Sequence, residues 1–251
     1  MIARSVSTVT VALAGAPNTG KSTVFNTLTG LRQHTGNWPG KTVERKTGVH
    51  RHNGTIFSLV DLPGSYSLSA NSAEEETARD FLATEKPDVV VAIVDASSLE
   101  RNLYLVCELL ELGLPTVIGL NMMDVANAAG LEVDAERLET LLGVPVVLLV
   151  ARQGKGMPQL IDTIERVAEA GASPAVAQPP PAPTAGGALD ALDDVVPATL
   201  DVPYPRRWLL VKLLEGDRAL AKAVKAGTAP DIWRRIEEVL QHRDGTAIEI
   251  A

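Results

Sequence analysis

Eight consecutive residues have types and spacing suited to holding phosphate: Gly15-Ala16-Pro17-Asn18-Thr19-Gly20-Lys21-Ser22, followed by Thr23. Glycines at both ends permit backbone angles that a Cβ forbids, so successive N–H groups can turn inward around an oxyanion. The Lys21 ammonium is spaced to reach the β- and γ-phosphates, and the Ser22 hydroxyl to bind Mg²⁺. The helix expected to begin near Lys21 adds its positive dipole end. The spacing is G-x-x-x-x-G-K-S/T, and the pattern predicts a nucleotide site.

Further polar clusters fall at the ends of apolar runs. Asp61-Leu62-Pro63-Gly64 offers a carboxylate for Mg²⁺, usually through water, and the Gly64 N–H to sense a γ-phosphate. Asn121-Met122-Met123-Asp124 ends on an aspartate that can accept from the N1–H and N2–H groups of guanine, donors that adenine does not present in that arrangement. An unpaired buried carboxylate is costly, so such a contact selects guanine sharply. Met122 stands where lysine is usual and can still pack on a base. The loop from Val150, Ala151 and Arg152 to Gly156 is spaced to supply a backbone N–H to guanine O6. Thr42 is a candidate to close over Mg²⁺ and the γ-phosphate from the segment His34–Glu44, whose glycines and polar residues predict a mobile loop carrying an exposed Trp38.

The elements that must position these residues are legible as alternating patterns. Val9–Ala14, Val89–Val94, Thr116–Leu120 and Val144–Val150 read as parallel strands buried on both faces. Helical spacing of apolar residues runs through Leu99–Leu112, Asp134–Leu142 and Met157–Ala170. Asn53-Gly54 joins Glu44–His50 to Thr55–Val60 as a hairpin, which adds one antiparallel edge strand. The fold class is therefore α/β: a mostly parallel sheet with helices on both faces, over residues 1–170. Ligands of such sheets bind beyond the carboxyl ends of the strands, where the polar clusters lie. Residues 171–251 form a second region. Pro174–Pro183 and Thr184–Gly187 read as a low-complexity linker, and helical patterns return around Trp208–Leu214 and Ile232–Leu240.

Composition narrows the function classes. The balance of 23 basic and 31 acidic residues, a net charge of −8, argues against a nucleic-acid partner or an anionic membrane surface. The lone Cys107 excludes an internal disulfide and is expected in the core. No apolar run approaches membrane-spanning length and no signal-peptide pattern opens the chain, so a soluble, intracellular protein is expected.

Taken together, these motifs resemble the Ras-like GTPases of the translation-factor class and, within them, the cytosolic N-terminal region of the FeoB family of bacterial ferrous-iron transporters. Gly36-Asn37-Trp38-Pro39-Gly40-Lys41-Thr42-Val43-Glu44-Arg45-Lys46 is similar to the first switch of that family, and Asp61-Leu62-Pro63-Gly64-Ser65-Tyr66-Ser67-Leu68 to its second. Arg207–Asp217 is similar to its helical segment. The resemblance implies slow GTP hydrolysis, with Ser65 where Ras-type enzymes place a water-orienting glutamine. It implies an activating K⁺ held by Asn18 and by main-chain carbonyls near Gly36 and Trp38, and catalytic roles for Asn18, Lys21, Thr42 and Gly64. It further implies that the helical region restrains GDP release and that a membrane domain follows Ala247–Ala251, placing the chain on the cytoplasmic face of the inner membrane, with a homo-oligomer left open. The family often has a serine at the position of Ala151. Two alternatives stand: a soluble GTPase of ribosome or RNA maturation, and a regulatory module that binds nucleotide with negligible turnover.

Overall fold

A computed structural model describes residues 8–30, 33–69, 72–171 and 186–242. The proline-rich linker reading and the Ala247–Ala251 junction lie outside these residues. The chain divides into two compact units, residues 1–177 and 178–251.

The first unit is built on seven strands: β1 (Thr8–Gly15), β2 (Gln33–Asn37), β3 (Glu44–His52), β4 (Thr55–Asp61), β5 (Val89–Asp95), β6 (Thr116–Asn121) and β7 (Val146–Leu148). Their order in the sheet is β2-β3-β4-β1-β5-β6-β7. From β4 through β7 all pairings are parallel, while β3 runs antiparallel to both β4 and β2. The hairpin strand expected at the sheet edge is thus covered by a further strand. Consequently the first four residues of the segment expected to be a mobile loop, residues 34–37, are ordered in β2, with Gly36 opposite Arg45. The physical reason is that β3 leaves an unpaired row of backbone groups on its outer side, and an edge of that kind recruits a strand even from polar residues.

β1, β5 and β6 lie in the middle of the sheet, which explains their unbroken apolar runs: Val89 to Val94 and Thr116 to Leu120 are all buried. Among the described residues this unit also has helices α1 (Lys21–Thr29), α2 (Ala73–Glu85), α3 (Leu99–Glu111), α4 (Met123–Ala128), α5 (Ala135–Leu142) and α6 (Met157–Ala170). One core joins Val11, Leu13, Phe25, Phe57, Ile93 and Leu160 under α1 and α6. Cys107 corrects the expectation of a core thiol: it is exposed, on the outer side of α3 between the buried Val106 and Glu108.

The second unit contains α7 (Gly186–Val195), α8 (Arg206–Leu214), α9 (Arg218–Gly227) and α10 (Pro230–His242). Gly186 and Gly187, read as linker, open α7 instead. Trp208, Leu209, Leu213, Leu220, Val224 and Ile236 are buried within this unit. Arg206 closes the carboxyl end of α7: Nε donates to Asp193 Oδ1 at 2.5 Å, and Nη2 to the carbonyls of Asp193 and Val196 at 2.6 and 2.8 Å. A guanidinium there satisfies orphan carbonyls at the negative end of the helix dipole.

Candidate nucleotide site

Parallel register brings the ends of the central strands to one rim. Leu13 stands opposite Asp61, Gly15 opposite Ile93, and Asp95 opposite Asn121. Every polar cluster singled out in the sequence after β1, β4 and β6 therefore opens on the same side of the sheet.

The loop from Gly15 to Ser22 is held in shape from within and from without. Thr19 Oγ1 donates to the Ala16 carbonyl at 2.9 Å, and Asn18 and Gly20 adopt left-handed backbones, φ 68° and 86°. Two close approaches require glycine. A Cβ at Gly15 would lie 2.6 Å from the Ile93 carbonyl oxygen, and one at Gly20 2.3 Å from Asn121 Nδ2. Lys21 begins α1 and is buried; its Nζ donates to Asp61 Oδ1 at 2.5 Å and to the Leu62 carbonyl at 2.6 Å. Ser22 and Thr23 are exposed on the first turn of the same helix. Gly64 packs against Pro17, where an added Cβ would sit 3.4 Å from the Pro17 nitrogen, and the Ser65 N–H donates to the Gly15 carbonyl at 3.2 Å. The loop after β4 is tied to the phosphate-type loop at several points and, on its far side, to α3: the Leu68 N–H donates to the buried Glu108 Oε2 at 2.6 Å, and Arg101 lies 3.9 Å above the Tyr66 ring.

Asn121 joins two loops. Its Nδ2 donates to the Thr19 carbonyl at 2.9 Å, and its Oδ1 accepts from the Ala151 N–H at 3.0 Å. Both bonds are buried, so the loop after β1 and the loop after β7 are fixed to each other through a single amide. Met122, in a left-handed backbone of φ 62°, caps α4 and reaches toward Gly20. The Met123 N–H donates to the Leu149 carbonyl at 3.3 Å, which places Asp124 in the first turn of α4 beside the loop after β7. There the Asp124 carboxylate is paired with the Arg152 guanidinium. Val150 flanks this loop, its N–H and carbonyl bridged to Lys155.

The segment carrying Gly36, Trp38 and Thr42 is placed differently from the expectation. Trp38 is buried, edge-on to Phe81 of α2 at 5.3 Å with Arg45 4.9 Å from its ring centre. Its partner lies more than 40 residues along the chain, out of reach of any local pattern. Lys41 bridges Glu76 and Asp80 of α2 at 3.2 and 3.1 Å. Thr42 is exposed in the turn between these anchors, and the Trp38 carbonyl accepts the Lys41 N–H at 3.0 Å. A cavity of about 400 Å³ lies between this turn and α2, lined by Trp38, Pro39, Arg45, Thr77, Phe81 and Thr84. What sequence reasoning missed is α2 itself, the element that receives the segment. Ser72, whose side chain accepts from the Glu75 N–H, was the available signal. Among the described residues no cluster of three histidine, cysteine or acidic side chains is arranged to hold a metal ion, and no helix is long and apolar enough to cross a membrane.

A G-x-x-x-x-G-K-S loop at the centre of a mostly parallel sheet, with Asp-x-x-Gly and Asn-x-x-Asp at neighbouring strand ends, defines a Ras-like P-loop GTPase fold. Residues 9–164 match the family described as ferrous iron transport protein B, and residues 186–247 the FeoB cytosolic helical domain. The chain belongs to the FeoB family and carries its N-terminal G domain. It is 39% identical over 248 residues to the Fe(2+) transporter FeoB of Salmonella choleraesuis, covering 97% of this chain and 31% of that protein. It is 42% identical over 228 residues to the Fe(2+) transport protein A/Fe(2+) transporter FeoB fusion protein of Porphyromonas gingivalis, covering 86% of this chain and 26% of that protein. The chain thus spans about a third or less of these relatives. A crystal structure of an S. thermophilus NFeoB variant bound to GDP is 34% identical with a TM-score of 0.83, covering 94% of this chain and 89% of that one. The cytosolic domain of T. maritima FeoB in its apo form is 30% identical with a TM-score of 0.80, covering 96% and 99%.

Proposed function

We propose that this chain is a GTP-hydrolysing switch, GTP and water giving GDP and phosphate, which couples its nucleotide state to Fe(II) uptake by a membrane domain of the same polypeptide. On this reading it works at the cytoplasmic face of the inner membrane. The observation that carries the reading is the Asn121 amide, which locks the phosphate-type loop to the loop after β7 with Asp124 alongside. On this reading the phosphates lie at the loop after β1 and the base at Asp124.

Phosphoryl transfer of this kind needs positioning and charge stabilisation more than covalent chemistry. Pro17 has no N–H and that of Thr19 donates to the Ala16 carbonyl at 3.4 Å, so on this reading the phosphates meet the N–H groups of Asn18, Gly20 and Lys21, and Lys21 exchanges its side-chain bonds to Asp61 and Leu62 for phosphate oxygens. The donors suit the ions that the reading requires. The Ser22 hydroxyl, the Thr42 hydroxyl and the Asp61 carboxylate are hard oxygen donors that would hold Mg²⁺, which would supply charge neutralisation on the phosphates. Asn18, exposed in its left-handed turn, would offer K⁺ an oxygen, as would the carbonyl of Gly36 in β2 and that of Trp38, which here accepts the Lys41 N–H. Gly64 presents its N–H to the γ-phosphate, and Ser65, buried with its N–H on Gly15, leaves water unoriented by a side chain. Hydrolysis is then slow without further help. The helical unit restrains GDP release.

Asp124 tests the base assignment. Asp124→Asn loses hydrogen bonds to a charged acceptor, worth about 1.5–3 kcal/mol, so GTP affinity falls by about tenfold or more and xanthosine triphosphate binds better than in the parent. Calorimetric titration with both nucleotides measures it; unchanged GTP affinity contradicts the assignment.

A further inference from the structure

We infer that Arg152 is a positioning residue for guanine selection: through its guanidinium it holds the Asp124 carboxylate in the orientation that reads the base. The inference rests on the proposed role of Asp124 and goes beyond the backbone N–H expected of Arg152. Three observations carry it. The Arg152 Nη2 donates to Asp124 Oδ2, joining the loop after β7 to the first turn of α4. The pair is unequal in exposure, with the Asp124 side chain 21% exposed and that of Arg152 69%, so the aspartate is the anchored partner and arginine approaches it from solvent. Finally, the residue two before Asp124 is Met122, which brings no cation to the carboxylate.

A carboxylate has two oxygens and about four lone-pair directions. One guanidinium donor on Oδ2 leaves Oδ1 and a second direction on Oδ2 for the two donors of guanine. An aspartate on a short helix with a free χ2 would otherwise turn among several orientations, and binding would have to arrest it. Arg152 removes that freedom beforehand. Because the same loop carries the Ala151 N–H held by Asn121, the carboxylate, the arginine and the phosphate-type loop form one connected frame. Fixing the acceptor matters most for the base that uses both of its oxygens. Guanine does, whereas hypoxanthine, lacking the N2 amine, uses one.

Arg152→Met keeps the aliphatic stem and the backbone N–H while removing the charge. The affinities of GDP and inosine diphosphate are measured by calorimetric titration for the parent, Arg152→Met, Arg152→Lys, Asp124→Asn and the double variant Asp124→Asn/Arg152→Met. The expected result is a loss of GDP affinity of about two- to fivefold in Arg152→Met, the range for an exposed ion pair. Inosine diphosphate should lose less, Arg152→Lys should recover part of the loss, and Arg152→Met should have no effect in the Asp124→Asn background. Tighter GDP binding in Arg152→Met overturns the inference, since arginine would then compete with the base. An equal loss with and without Asp124 also overturns it, since arginine would then only brace its loop. If Asp124→Asn itself leaves GDP affinity unchanged, the base assignment fails and the inference with it; a weakened Asp124→Asn beside a neutral Arg152→Met overturns the inference alone.

Discussion

Asn18 stands in a left-handed backbone with its side chain exposed at the mouth of the phosphate-type loop, a costly conformation for a residue with a Cβ and one that asparagine tolerates better than most. If its oxygen helps hold K⁺ against the charge that develops in hydrolysis, GTP turnover is faster in KCl than in NaCl at equal ionic strength. Asn18→Ala then removes the difference while GDP affinity changes little. Phosphate release in the two salts measures this, and equal rates in the parent protein would remove the ion from the mechanism. Cys107 gives a second residue-scale test. Although Cys107 is exposed, neighbouring protein atoms desolvate the thiol in part, and this, with the carboxylates of Glu111 and Glu108, pushes its pKa up. At pH 8 the thiolate fraction is therefore below that of an unperturbed cysteine, and alkylation by iodoacetamide is slower in the folded chain than in the urea-unfolded one. Equal rates would contradict the local field described for α3.

Between α2 and the turn after β2, two kinds of contact compete for importance. Lys41 makes part-buried ion pairs near the surface with Glu76 and Asp80, worth about 0.2–1 kcal/mol each, whereas Trp38 buries a large ring against Phe81, and truncation of such a ring costs about 3–5 kcal/mol. Trp38→Ala should accordingly lower unfolding free energy several-fold more than Lys41→Met in urea titrations; the reverse order would mean that charge, not packing, fastens this turn. The sequence showed these elements unevenly. β1, β5 and β6 were legible because strands buried on both faces must be continuously apolar, and the hairpin because Asn53 and Gly54 supply the positive φ of 50° and 88° that its turn demands. β2 was not, since Gln33–Asn37 is polar and becomes a strand only by completing the edge of β3. The burial of Trp38 followed the same logic, depending on a helix distant in sequence. At the site, the spacing of Gly15, Lys21, Asp61, Asn121 and Asp124 was legible from residue types alone. The Asn121 bridge and the Arg152 contact were not, because they join strand ends separated by intervening helices.

At the scale of the molecule, the two units are stabilised by different means. The first packs α1 and α6 against an open seven-stranded sheet, and the second, among the described residues, is a set of four helices in which one arginine, Arg206, caps α7. The net charge of −8 over the whole chain argues against a polyanionic partner, and the proposed nucleotide switch stands or falls on turnover. The direct measurement is phosphate release under single-turnover conditions, with the protein in excess over GTP or ATP in KCl and Mg²⁺. The proposal predicts complete conversion of GTP to GDP, slowly, with ATP left intact, and Lys21→Ala losing the conversion. GTP recovered unhydrolysed from a protein that binds it tightly, or ATP turned over at the same rate, would contradict it.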